Sequence, residues 1–115
     1  MQLGKQAFLA LLAVAYGLSM SQGQAAVVGG TPAVVAEYSV YSEYGGGDVL
    51  FTSAGSIAGC YGFWLRPTDP GFKETFSTLL TAYVTKSTLR VWAHDDSIWG
   101  GSTNAYCRVY RLNPV

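Results

Sequence analysis

The chain divides by the period of its apolar positions. Lys5 precedes an uncharged apolar run from Ala7 to Leu18, and polar residues take over from Ser19 to Gln24. That order is the one found in secretory signal peptides, and the run is short of the roughly 20 apolar residues that a membrane span needs. Small residues at Gly23 and Ala25 put cleavage after Ala25, with Ala26 the adjacent alternative. Residues 1–25 are read as a signal peptide, and residues 26–115 as one domain with no membrane span after cleavage. A retained N-terminal anchor is the competing reading.

Beyond the cleavage point, Ala26 to Pro32 is small and uncharged, and Gly29, Gly30 and Pro32 oppose regular structure, which suggests a flexible lead. From Ala33 to Tyr44 the period is two. Val34, Ala36, Tyr38 and Val40 share one face and Glu37, Ser39, Tyr41 and Glu43 the other, as in a half-buried strand. Gly45 to Asp48 breaks the pattern, and Val49 to Thr52 resumes it as the second arm of a hairpin. Ser53 to Gly59 is a further turn, followed by a third strand from Cys60 to Leu65. Asp69 is placed as an N-cap ahead of Pro70. Phe72, Phe76, Leu79, Leu80 and Tyr83 then follow helical spacing, with Lys73, Ser77, Thr78 and Thr81 away from that face and Lys86 at the C-terminal end. A fourth strand sets Leu89, Val91 and Ala93 against Arg90, Trp92 and His94. A polar loop from Asp95 to Asn104, with Trp99 inside it, leads to a fifth strand from Ala105 to Leu112.

The order is β-β-β-α-β-β, mainly β with one helix. An open antiparallel sheet of these strands would expose two edges, and closure into a barrel removes them. Five strands with a helix between the third and fourth is the order of the OB-fold. The apolar helix face would plug one end of such a barrel. A flat α+β sandwich with the helix on one side is the alternative.

Charge narrows the partners. The chain carries seven basic and seven acidic residues, and removal of Lys5 leaves a net charge of −1. Arg66, Lys73, Lys86, Arg90, Arg108 and Arg111 are scattered among acids, unlike the concentrated basic footprint of nucleic-acid binders, so no nucleic-acid partner is expected. Cys60 and Cys107 both lie in the exported part, where thiols pair. One disulfide from the third strand to the fifth is the expected outcome, with free thiols or an intermolecular pair as the alternatives.

A family resemblance joins these readings. Phe76-Ser77-Thr78-Leu79-Leu80, then Tyr83, Thr85-Lys86 and Leu89-Arg90-Val91-Trp92, resembles the helix-to-strand segment of the subtilase cytotoxin B subunit. Cys60-Tyr61-Gly62-Phe63-Trp64-Leu65 resembles a strand of small bacterial secreted proteins of similar size. The resemblance covers Cys60 to Leu112 and implies an OB-fold B subunit that forms a pentameric ring and binds cell-surface glycans, often sialylated ones. It does not extend over Ala33 to Ser56, so no sugar-contacting residue is carried over from it.

Candidate chemistry is dominated by amphipathic aromatics, which stack on sugar rings but also fill ordinary cores. Tyr41, on the polar strand face, and Trp99, in the polar loop, are the two that a core explains least. Asp96, Ser97, Ser102 and Asn104 surround Trp99 in sequence and suit sugar hydroxyls, so Tyr41, Asp96, Trp99 and Asn104 form the expected glycan set. Lys73, Ser77, Thr78 and Thr81 would face the centre of a ring. His94-Asp95-Asp96 offers one histidine without a spaced partner, which suits a solvated strand end better than a metal site. Glu37 and Glu43 sit about 20 Å apart by strand rise, too far for a glycosidase pair. No metal, cofactor or enzymatic activity is expected.

The leading reading is a secreted or periplasmic glycan-binding homo-oligomer, with a toxin A subunit as a possible companion. The alternative is an envelope protein that binds another protein. A small secreted enzyme or inhibitor dependent on His94 or a carboxylate is the third.

Overall fold

The computed structural model describes residues 27–55, 57 and 59–115, so the expected signal peptide and its expected cleavage point lie outside the described residues. The elements run β1 (Val27–Val40), β2 (Val49–Ser53), β3 (Gly62–Leu65), α1 (Phe72–Thr85), β4 (Thr88–Ile98) and β5 (Tyr106–Pro114). Hydrogen-bonded neighbours follow the order β1-β2-β3-β5-β4 and return to β1, which closes a barrel. All neighbours are antiparallel except β3 and β5. This is the OB-type arrangement expected from the element order. It excludes the flat sandwich.

Closure depends on β1, which pairs with β4 through Val27 to Val34 and with β2 through Val35 to Val40. The expected flexible lead is therefore wrong from Val27 onward. Between Gly29 and Pro32 the register against β4 slips, and three steps in β1 match two in β4. Such a bulge bends the strand, and it accepts a proline because its backbone is not fully engaged in the ladder. Gly29 has φ +122°, and a Cβ there would stand 2.1 Å from the Val91 carbonyl oxygen. Only glycine fits, which explains why a segment that reads as linker behaves as strand.

A second slip lies between Val35 and Glu37. It places Val35 in the core and leaves Ala36 exposed, which corrects the expected Val34, Ala36, Tyr38 and Val40 face. Past the slip, Tyr38 packs edge-on against Phe76 and Tyr83 of α1. Val40 stays exposed. Tyr41 to Tyr44, expected within the strand, belongs to the turn after it.

The interior collects Val49 and Phe51 from β2, Phe63 from β3, Leu79 from α1, and Leu89 and Val91 from β4. Burial of each contributes about 1.5–3 kcal/mol. Phe72, Phe76 and Tyr83 pack against this core from the expected helix face, and Ala82 joins it. The helix does not begin as expected. Its N-cap is Gly71, without a side-chain cap, and the Asp69 carboxylate pairs with Arg66 and Arg108 instead. At the other end Lys86 takes the left-handed conformation, and the Ser87 N–H donates to the Ala82 carbonyl at 3.0 Å. This is the usual way to satisfy a last-turn carbonyl.

Cys60 and Cys107 form the disulfide, both buried. It ties the residue just ahead of β3 to β5, a parallel neighbour that no hairpin can join, since α1 and β4 intervene. The loop it closes spans 47 residues, for which chain entropy gives about 4 kcal/mol. A Cys60→Ala, Cys107→Ala double variant should lose up to about that amount in urea unfolding followed by circular dichroism, with strain relief reducing it.

Candidate functional site

Ring closure brings the β1–β2 loop (41–48) against the β4–β5 loop (99–105). Their meeting point is a buried pair: the Trp99 indole N–H donates to Asp48 Oδ2 at 2.8 Å, across 51 residues of chain. Trp99 is only 5% exposed and Asp48 3%. Trp99 is thus a core residue of the loop junction, and its expected role as an exposed stacking platform is corrected. Gly45 makes room for the pair: it has φ +64°, and a Cβ there would meet Asp48 Oδ2 at 2.1 Å. Asp48 Oδ1 has no hydrogen-bond partner among the described residues.

Tyrosines surround this anchor. Tyr41 and Tyr44 contact the Trp99 ring at 5.2 and 5.1 Å between centroids and each other at 6.4 Å. Tyr106, at the start of β5, contacts Trp99 at 6.1 Å and Tyr61 at 5.4 Å. Four tyrosines and one tryptophan are thereby joined by four T-shaped contacts and one tilted one. Tyr41, Tyr44 and Tyr61 are 40%, 47% and 55% exposed, so the cluster has a rigid floor and an open top. Tilted and edge-on contacts of this kind add about 0.5–1.5 kcal/mol per pair beyond burial.

A shallow groove of about 40 Å³ runs beside the cluster, lined by Glu37, Ser39, Tyr41, Thr52 and Tyr106 among others. Glu37 and Ser39 share a face of β1, and Tyr41, just past the end of the strand, lines the same groove. Burial, and after it the neighbouring Tyr61, Glu37 and Tyr41, raises the Tyr106 hydroxyl above the ordinary phenol value of 10.0. At neutral pH that hydroxyl is protonated and able both to donate and to accept.

Of the expected glycan set, Tyr41 stands in the cluster and Trp99 lies beneath it. Asn104 is exposed in the β4–β5 loop, where its N–H donates to Ser102 Oγ and its carbonyl accepts from the Tyr106 N–H. Asp96 is exposed in the irregular stretch of β4 between His94 and Ile98, and among the described residues no hydrogen bond or ion pair links it to the tyrosines. Tyr44, Tyr61 and Tyr106 were not singled out by sequence reasoning. All three belong to the amphipathic aromatics of the sequence, from which the expected set took only Tyr41 and Trp99. Among the described residues, no cluster of three or more His, Cys, Asp or Glu could hold a metal, and no helix is long and apolar enough to cross a membrane.

On the helix, Ser77 and Thr81 are exposed and Thr78 is half-buried, its hydroxyl donating to the Glu74 carbonyl at 2.9 Å. With Ala82, Ser87, Leu89 and Pro114 they line a shallow depression of about 280 Å³. Lys73 is exposed outside it.

No family model, curated protein or solved structure matches the chain. The site's chemistry therefore rests on its own geometry.

Trp99→Phe keeps the ring but leaves Asp48 buried with both oxygens unpartnered. It should cost about 1–3 kcal/mol in urea unfolding, the usual penalty of an orphaned buried polar group. Asp48→Asn retains an acceptor oxygen and should cost less than Trp99→Phe.

Proposed function

We propose that this protein is an exported glycan-binding module, delivered to the periplasm or outside the cell, whose tyrosine surface at the meeting of the β1–β2 and β4–β5 loops receives sugar rings. The observation that carries this reading is the open cluster of Tyr41, Tyr44, Tyr61 and Tyr106, held in place by the buried Trp99–Asp48 pair. OB-type barrels bind oligosaccharides and oligonucleotides at these loops and on the β2–β3 face. Between those two ligands the charge decides. Glu37 lines the groove, no lysine or arginine does, and a phosphate backbone would meet repulsion where nucleic-acid binders place a basic track.

The groove is far smaller than the roughly 300 Å³ of ordinary enclosing ligand pockets, so a sugar is held by one face and by a few hydroxyl contacts. Single-site affinity is then low. Linked copies compensate, because multivalent binding raises avidity by about 10²–10⁴ without any new contact. This favours a ring-shaped homo-oligomer, a pentamer on the toxin B-subunit resemblance, with Lys73, Ser77, Thr78 and Thr81 towards its centre and a possible A subunit seated there.

Two measurements test the reading. On a glycan array, the wild-type protein should give discrete hits that Tyr44→Ala and Tyr61→Ala each weaken about tenfold or more, the equivalent of about 1.4 kcal/mol. Tyr44→Ala loses two ring contacts and should cost about 1–3 kcal/mol of stability, and Tyr61→Ala loses one and should cost about 0.5–1.5 kcal/mol, so both arrays are read on protein shown to be folded by circular dichroism. An array blank for a folded wild-type protein would shift the reading to a protein partner. Light scattering after size exclusion of the oxidised mature chain should give the mass of a ring, and a clean monomer at high concentration would remove that part of the proposal.

A further inference from the structure

Arg66 and Arg108, far apart in sequence, meet in the fold at Asp69. Arg90, Arg108 and Arg111 stand on β4 and β5, and Arg66 reaches the same side through Asp69. Asp69 Oδ1 accepts from Arg66 Nε at 2.9 Å and pairs with its Nη2 at 2.7 Å, while Oδ2 accepts from Arg108 Nη1 at 3.1 Å. Arg108 Nε also donates to the Ser97 hydroxyl at 3.0 Å. Two guanidinium groups thus share a single carboxylate, and Arg66 Nη1 and Arg108 Nη2 have no partner among the described residues.

These groups border a pocket of about 280 Å³, separate from the tyrosine surface, whose lining also includes Leu65, Phe72, Thr75, His94, Val109 and Tyr110. The His94 and Tyr110 rings meet edge to face at 5.4 Å, which fixes one wall. One side is therefore cationic with donors to spare, and the other is apolar and aromatic. Arg108 is well covered, with 19% of its side chain exposed, so its charge is less screened than that of a surface arginine.

We propose that this pocket binds the carboxylate of a small, ring-bearing monoanion. Two guanidinium groups against one carboxylate leave a surplus of one positive charge, which a monoanion neutralises and a phosphate dianion overshoots. The planar fork of arginine matches a carboxylate with two parallel N–H donors. The volume, just under the roughly 300 Å³ at which drug-sized pockets begin, admits a single ring, and Leu65, Phe72 and Val109 supply an apolar wall for it. The carboxylate comes either from a free acid or from the end of a chain.

Benzoate is the first probe, titrated into the oxidised protein while the arginine Nε–H signals are followed by NMR. Benzoate should bind saturably with a Kd on the order of 1 mM or tighter, moving the Arg66 and Arg108 signals, and benzamide should not bind. Arg66→Gln, at a half-exposed position, should weaken benzoate about tenfold. Asp69→Asn removes the competing carboxylate and should tighten it. Tyr44→Ala should leave it unchanged, so this proposal and the glycan reading fail separately. An acetylated Gly-Gly-Phe peptide, as free acid and as amide, distinguishes the sources: tighter binding of the peptide acid than of benzoate assigns the pocket to chain ends, and the reverse assigns it to free acids. Equal binding of benzamide, tighter binding of inorganic phosphate, or a benzoate affinity indifferent to both Arg66→Gln and Asp69→Asn would overturn the proposal.

Discussion

Everything in this fold depends on one strand pairing on both sides. β1 must hydrogen-bond to β4 with its first half and to β2 with its second, and a straight strand cannot follow that path around a barrel. The two register slips supply the bend, one at Gly29 to Pro32 and one beside Ala36. With β1 bent, the strands close into a ring in place of an open sheet with two end strands. Closure also sets β3 beside β5 in parallel, a pairing made late in sequence with no turn to guide it. The Cys60–Cys107 bond lies at that seam, where it constrains the unfolded chain across 47 residues.

The site is a consequence of the same closure. Asp48 and Trp99 belong to loops far apart in sequence, and they meet because β1 carries the first loop to the side of the barrel where β4 and β5 turn. An aspartate this deeply buried carries a desolvation cost that one indole hydrogen bond offsets only in part, and its second oxygen remains unpartnered. What the pair provides is position. It fixes the ring on which Tyr41, Tyr44 and Tyr106 rest, so the exposed aromatic surface is organised before any ligand arrives, which lowers the ordering cost of binding.

The sequence showed the strands, the helix and the disulfide because those follow from local period and compartment. Leu89, Val91 and Ala93 alternate and are buried as read, and Phe72, Phe76 and Leu79 point as their spacing requires. Failures came where tertiary structure overrides local preference. Gly29, Gly30 and Pro32 look like linker residues, yet the glycines supply the positive φ that the bulge needs, and Pro32 sits where the ladder is interrupted. Asp69 looks like a helix cap, yet two arginines compete for its carboxylate more strongly than backbone N–H groups do. At the site, Trp99 in a polar loop reads as exposed because nothing nearby in sequence names Asp48 as its partner. Tyr61 and Tyr106 each look like ordinary strand-end aromatics until the barrel sets them side by side.

A net charge near zero conceals an uneven placement of polar groups over the folded surface. Outward positions on β4 and β5 carry Arg90, Arg108 and Arg111, with Arg111 stacked over Trp92 at 4.4 Å and the exposed Asp95 and Asp96 towards the end of β4, while β1 ends with Glu37 and Ser39 and Tyr41 follows just after it. Alternation forces this separation, since each strand has only its solvent face on which to place polar groups, and the barrel turns those faces in different directions. An uncharged hydroxylated ligand suits the tyrosine side and an anion the arginine side. A small barrel with one fixed core can present both, because the residues that specify the core and those that meet solvent occupy alternate positions along the same strands.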